Sequence, residues 1–195
     1  MPTALVTGGC GFIASNFINR MKDKYPDIDF VTVDKMDYCS NTKNIHEGKA
    51  IIVKGNVGNA ELIEHLIHEY KFDYVFHFAA QSHVDNSFND PKSFTLNNAY
   101  GTHVLLDKFR ELKPNVEFIH FSTDEVYGTL GETGLFKETT PYDPNSPYSA
   151  STHSTFPSCW FTCCSNQSDW LSSPYHREYT RHYVQLFVEV CPGQP

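Results

Sequence analysis

Thr3-Ala4-Leu5-Val6-Thr7-Gly8-Gly9-Cys10-Gly11-Phe12-Ile13-Ala14, near the amino terminus, is the stretch whose reading decides the fold. A short apolar run enters a glycine cluster, and an amphipathic helical pattern over Phe12–Lys24 follows without a gap. The spacing is G-x-x-G-x-x-A. Gly8 makes a tight turn, Gly11 lets backbone N–H groups approach a pyrophosphate, and the small Ala14 allows the helix to lie close on the sheet. The start of that helix adds positive potential. A glycine-rich turn alone is commonplace. Here a strand precedes it, a helix follows it, and Asp34 stands about 20 residues further on, after the apolar stretch Asp29–Val33. A carboxylate at that place accepts from adenosine ribose hydroxyls and repels a 2′-phosphate. The segment is therefore expected to bind a dinucleotide, NAD in preference to NADP, with Lys35 softening that preference.

Outward from this unit the pattern alternates. Strands are expected at Thr3–Thr7, Asp29–Val33, Ala50–Lys54, Tyr74–Phe78 and Val116–Phe121. Helices are expected at Phe12–Lys24, at Ala60–Tyr70 with Leu62, Ile63, Leu66, Ile67 and Tyr70 on one face, and from Pro91 to Leu112. Pro91 suits a first helical turn, and Pro114 lies just past the end. Five apolar strands separated by helices predict an α/β fold, a parallel sheet covered on both faces.

The 195 residues give one domain, or one and a fraction. A net charge of −8 argues against a general nucleic-acid or anionic-membrane binder. No apolar run approaches a membrane span, and no export signal is visible at the amino terminus. Six cysteines are too few for a disulfide scaffold, so a cytoplasmic, reducing location is expected, with Cys10 and Cys39 as small packing residues.

Several further stretches carry a family resemblance: Val33-Asp34-Lys35-Met36-Asp37-Tyr38, Phe76-His77-Phe78-Ala79-Ala80-Gln81-Ser82-His83-Val84-Asp85 and Asn98-Ala99-Tyr100-Gly101-Thr102. Phe121-Ser122-Thr123-Asp124-Glu125-Val126-Tyr127-Gly128 and Pro147-Tyr148-Ser149-Ala150-Ser151 complete the set. With Thr7–Asn16, they make residues 1–151 similar to the extended short-chain dehydrogenases/reductases, and more closely to nucleotide-sugar 4,6-dehydratases. That resemblance implies a Rossmann-type doubly wound sheet over residues 1–152, here incomplete and without the substrate domain.

It also implies a chemistry. Tyr148 would remove the 4-hydroxyl proton of a dTDP- or UDP-hexose as C4 gives a hydride to NAD. Glu125 as base and Asp124 as acid would then eliminate water across C5 and C6. Hydride return to C6 leaves a 4-keto-6-deoxy sugar. Neighbouring carboxylates in a partly buried crevice would help keep one of them protonated, and Thr123 would hydrogen-bond the sugar 4-hydroxyl. By the same resemblance, Phe12 and Ile13 lie on the pyrophosphate and Asp34, Lys35, Met36 and Asp37 around the ribose. Asn56-Val57 stands beside adenine, where Asp-Ile is usual. Phe78, Ala79, Ala80, Gln81, Ser82 and Asn97 line the rest of the cofactor path, Ser82 also reaching substrate. His83 is expected to be a satisfied structural histidine.

The family motif Tyr-x-x-x-Lys is broken, because Thr152 stands at the lysine position. That lysine would hold the nicotinamide ribose and lower the tyrosine pKa; threonine has no charge for either task. Turnover is expected to be greatly reduced, and the family homodimer is in doubt. A second reading is a non-catalytic NAD-binding fragment; a related epimerase or decarboxylase is disfavoured by Asp124-Glu125. Every lysine, isoleucine, methionine and alanine lies in residues 1–152. Residues 153–195 are therefore expected to be a foreign, poorly ordered tail, as from a shifted frame, although Tyr183–Val190 could add one strand at the sheet edge. His153, Cys159, Cys163 and Cys164 fit no common zinc spacing, and no metal is expected.

Overall fold

The computed structural model describes residues 1–131, 133–137, 139–155 and 188–191. Its sheet has the order β3-β2-β1-β4-β5-β6. The first five strands are β1 (Thr3–Thr7), β2 (Asp29–Asp34), β3 (Ile51–Lys54), β4 (Tyr74–His77) and β5 (Glu117–Phe121), and all pair in parallel. Chain reversal about β1 puts the crevice for a ligand at the carboxyl ends of β1 and β4. The expected five-stranded parallel sheet is therefore present.

Side-chain alternation assigns the two faces. Ala4 and Val6 pack with Ala14 and Ile18 of α1 (Phe12–Lys24), while Leu5, Val31, Val33, Val75 and Phe118 pack under the opposite helices. Those are α2 (Ala60–Tyr70) and α5 (Gly101–Leu112). Asn59 caps α2 by accepting from the Leu62 N–H, and Lys71 ends it in the left-handed region at φ 49°.

The single helix expected from Pro91 to Leu112 is more articulated. A short α3 (Val84–Asn89) precedes it, and Asp90 caps α4 (Pro91–Phe94). A π turn at Thr95–Tyr100 then leads into α5. After β5, a 3-10 turn covers Asp124–Tyr127, and α6 (Pro147–His153) opens with a capping box between Ser146 and Ser149.

α6 runs past Thr152, where the motif lysine is lacking, and ends at His153. The Thr155 hydroxyl behind it is buried, donating to the Thr152 carbonyl and meeting His120 Nε2. β6 (Val188–Cys191) joins β5 antiparallel, with Phe118 opposite Cys191 and Phe121 opposite Val188. Part of the stretch expected to add an edge strand therefore does so. The remaining expectations for the tail, and three of its four cysteine and histidine zinc candidates, lie outside the described residues.

Candidate functional site

The turn after β1 has the geometry of a phosphate cradle. Gly8 sits at φ 70°, and a β-carbon there would come within 2.9 Å of the Ala79 Cα, so the β1 and β4 ends touch through their backbones. Gly9 has a different constraint, unread in the sequence: a β-carbon would fall 1.9 Å from Thr32 Oγ1. Ala14 is buried against the sheet, as its small size required. Gly11 caps α1 without a side-chain acceptor, and the first turn has no acid. The N–H groups of Phe12 and Ile13 are thus suited to an anion. Their side chains are exposed, so any contact with a pyrophosphate runs through the backbone. This donor set fits a dinucleotide.

Asp34 is where a ribose-binding acid was expected, but its carboxylate is 5% exposed and already engaged. One oxygen accepts from the Cys10 N–H at 2.9 Å, the other from the Met36 N–H at 2.8 Å and Ser40 Oγ at 2.7 Å. It ties the glycine turn to the loop after β2, a positioning task the sequence reading lacked. The Cys10 thiol, pushed up to about 11 by burial and then by Asp34, is a packing group. Met36, at φ 61°, turns its side chain onto the α1-side core.

Lys35 does not stand free: its ammonium reaches Asp37 at 3.1 Å and Asn97 Oδ1 at 3.3 Å. Asp37 is held below the usual carboxylate range, first by the Lys35 hydrogen bond and then by the Tyr38 N–H, with Gln81 contributing. Lys35, Asp37, Gln81 and Asn97 thus form one polar rim. Ala80 and Ser82 stay exposed at the same mouth.

The side chains of two expected cofactor-lining residues turn into the core, and the expectation for His83 needs correction. Val57 is a core residue under α5, because Gly101 leaves its methyl room there; only the exposed Asn56 is surface, its Oδ1 accepting from the Gly58 N–H. The Phe78 ring stacks on Phe121 at 3.7 Å and leans on Phe17, so it belongs to the layer beneath α1. His83 is exposed at the start of α3 and makes no side-chain cap; among the described residues the buried histidines are His77 and His120.

The four residues expected to act on substrate are brought together. Thr123 ends the extended run after β5 and caps the 3-10 turn, its hydroxyl accepting from the Glu125 N–H at 3.4 Å and reaching Asp124. Asp124 is exposed and Glu125 half-buried. Burial, then the Asp124 charge, raises the Glu125 carboxyl above its ordinary range. Tyr148, on α6, is 8% exposed. Burial raises its phenol, a hydrogen bond with Thr123 pulls the other way, and the charges of Glu125 and Asp124 raise it further. Thr152 supplies no compensation: it is buried, and its hydroxyl donates to the Tyr148 carbonyl at 3.1 Å.

Asn98 was quoted only as part of a motif, yet it organises this site. It lies in the π turn, 3% exposed; its Oδ1 accepts from the Gln81 N–H at 2.8 Å while its Nδ2 donates to the Gln81 carbonyl at 2.9 Å. The same Nδ2 donates to Ser151 Oγ at 3.0 Å. An asparagine on a helix otherwise packed by apolar residues was the available signal.

Residues 5–158 match the family described as GDP-mannose 4,6 dehydratase. The dTDP-glucose 4,6-dehydratase of Xanthomonas campestris is 46% identical over 163 residues, covering 77% of this chain and 46% of the relative. The human dTDP-D-glucose 4,6-dehydratase is 40% identical over 151 residues, 75% of this chain and 43% of the relative. The chain thus spans less than half the length of these relatives. Among solved structures, dTDP-glucose 4,6-dehydratase from Bacillus anthracis, in complex with NAD, superposes with a TM-score of 0.70 at 39% identity. That match covers 79% of this chain and 48% of the other. A UDP-glucose 4-epimerase from Thermotoga maritima, with UDP-glucose, gives a TM-score of 0.75 at 29% identity over 83% of this chain and 51% of the other. Sequence match, sheet order and glycine turn agree, and the chain belongs to the GDP-mannose 4,6-dehydratase family of the extended short-chain dehydrogenases/reductases.

Proposed function

We propose that this chain is the NAD-binding part of a nucleotide-sugar 4,6-dehydratase and that its own turnover is curtailed at Thr152. The observation that carries the reading is the meeting of Tyr148, Thr123, Asp124 and Glu125 after β5, in a sheet whose first strand ends in the glycine turn. When bound, NAD would accept a hydride from the sugar and return it. The first turn of α1 would bind the pyrophosphate, and the rim of Lys35, Asp37, Gln81 and Asn97 would enclose the adenosine side.

Within the sugar site, Thr123 orients a hydroxyl and Tyr148 takes its proton. Glu125, half-buried and with its carboxyl raised by burial and then by Asp124, is assigned the base that takes the carbon-bound proton, and exposed Asp124 the acid that protonates the leaving hydroxyl. Tyr148 is the weak point. Its phenol is pushed up by burial and by two acids, and no cation stands at position 152 to bring it down. Asp124-Glu125 favours dehydration over epimerisation, the nucleotide being dTDP or UDP. A reducing cytoplasm suits free Cys10 and Cys39; no helix among the described residues is long and apolar enough to cross a membrane.

The alternative reading, an NAD-binding protein without turnover, is favoured by Thr152 alone. Two measurements separate them. NAD at 100 times its Kd should stabilise the chain by about 2.7 kcal/mol, a rise in Tm of roughly 5–10 °C. No rise refutes NAD binding. Turnover of dTDP- or UDP-glucose to a 4-keto sugar at about 1 s⁻¹ or more would refute the curtailment.

A further inference from the structure

We propose that His77, as its neutral Nε2–H tautomer, is a positioning residue that fixes the Ala79–Gln81 backbone and, through Thr102 and Asn98, the helix turn bearing Tyr148. The inference rests on the NAD-binding reading above for its consequence, but not for its geometry.

Hydrogen positions follow from counting donors. The Thr102 hydroxyl donates to the Asn98 carbonyl, so it can only accept from His77 Nε2 at 2.7 Å, which must carry the proton. Nδ1 is then a lone pair. The Thr7 hydroxyl donates to it at 2.7 Å and itself accepts from the Ala79 N–H at 3.1 Å. Every group is satisfied. The opposite tautomer would leave the Thr7 proton without an acceptor and aim a lone pair at Thr102, whose proton is committed. An imidazolium would conflict with the Thr7 bond in the same way. The ring is buried, and burial holds its pKa well below the usual histidine value; stacked His120, 5.1 Å away on β5, is the titratable group facing it and lowers it further.

From Asn98 the linkage continues. Its side chain accepts from the Gln81 N–H and donates to the Gln81 carbonyl, and it donates to Ser151 Oγ, which donates to the Tyr148 carbonyl at 2.8 Å. Thr7 stands at the end of β1, next to Gly8. One imidazole therefore joins the phosphate turn, the cofactor-lining segment and the tyrosine helix. A largely buried polar network of this kind specifies one arrangement when each member is satisfied.

The test uses the full chain, labelled with 15N-histidine. Two-bond 1H–15N spectra at pH 7 should show His77 protonated at Nε2 alone; an Nδ1–H or doubly protonated ring overturns the proposal. NAD affinity is then measured by calorimetry. Thr102→Val should weaken it at least 10-fold, with Thr102→Ser within about 3-fold of the parent. Thr7→Val and Thr102→Val together should cost less than the product of the single effects, because both act through one ring. Parent-like NAD affinity in Thr102→Val, or independent effects in the double variant, refutes the coupling. Failure of the parent chain to bind NAD would instead refute the dinucleotide reading, and the spectra would still decide the tautomer.

Discussion

Acidification should unfold this protein through a buried histidine before most carboxylates titrate. His77 and His120 are paired across β4 and β5, and both are buried and stacked at an interplanar angle of 26°. Burial lowers His120 from 6.5 to about 4. The sign follows from linkage. Below about pH 6.5 the unfolded chain takes up a proton at this residue and the folded chain does not, so stability falls as pH falls, until the folded group itself titrates near 4. At 1.36 kcal/mol per unit, the loss from His120 is about 3 kcal/mol over that window. Above pH 6.5 this residue contributes no pH dependence.

Urea midpoints followed by circular dichroism from pH 7.5 to pH 4.5 would measure it, with His120→Phe as the control. Phenylalanine keeps the stacked ring and removes the titration; it also gives up the bond to Thr155 at 3.1 Å, a loss of about 1 kcal/mol at neutral pH. Carboxylates elsewhere are common to both proteins and cancel in the difference. The variant should start less stable at pH 7.5 and overtake the parent by pH 4.5. Parallel curves would refute the reasoning, since they would mean that His120 titrates alike in the folded and unfolded states.

Three other outcomes are expected. Thr152→Lys should bring the Tyr148 phenol down by a unit or more, read as absorbance at 295 nm during alkaline titration, and raise 4-keto-sugar formation at least 10-fold; an unmoved phenol would show that the cation does not reach it. Gly9→Ala should destabilise the fold by about 1–3 kcal/mol in urea, because its methyl collides with Thr32 on the neighbouring strand. Glu125→Gln should raise the Tm by roughly 1–3 °C at pH 7. A carboxyl raised in the folded state penalises folding only where it is ionised, so that gain should vanish below about pH 4.5, and a gain of equal size at both pH values would count against it.

The strands and the glycine turn were legible because they depend on local pattern: β1, α1 and α2 lie where alternation and periodicity put them. The acidic pair and Tyr148 were legible as motif, and their meeting follows from α6 packing on the 3-10 turn. What escaped depends on partners distant in sequence. Gly9 is constrained by Thr32, Asp34 by Cys10 and Ser40, and His77 by threonines on β1 and α5. The inward turn of the Val57 and Phe78 side chains escaped because a motif names a position without saying which way its side chain faces. The π turn escaped for another reason: its residues are apolar enough to prolong a helical pattern, and a single shifted hydrogen bond leaves little trace in periodicity.

That turn has a consequence of its own. At Thr95–Tyr100 the helix carries a wider loop of backbone, with the Gly101 N–H bonding back to the Leu96 carbonyl. Asn98 lies inside the bulge and Thr102 beyond it, and each is docked on a different strand-end peptide or ring. The two moorings are in step only while the extra residue is present. Deleting Ala99 would tighten the coil and swing everything downstream by about 100°, so that one mooring could hold only if the other let go. Codon-scale deletion, more than substitution, is thus the lesion to which this segment is most vulnerable.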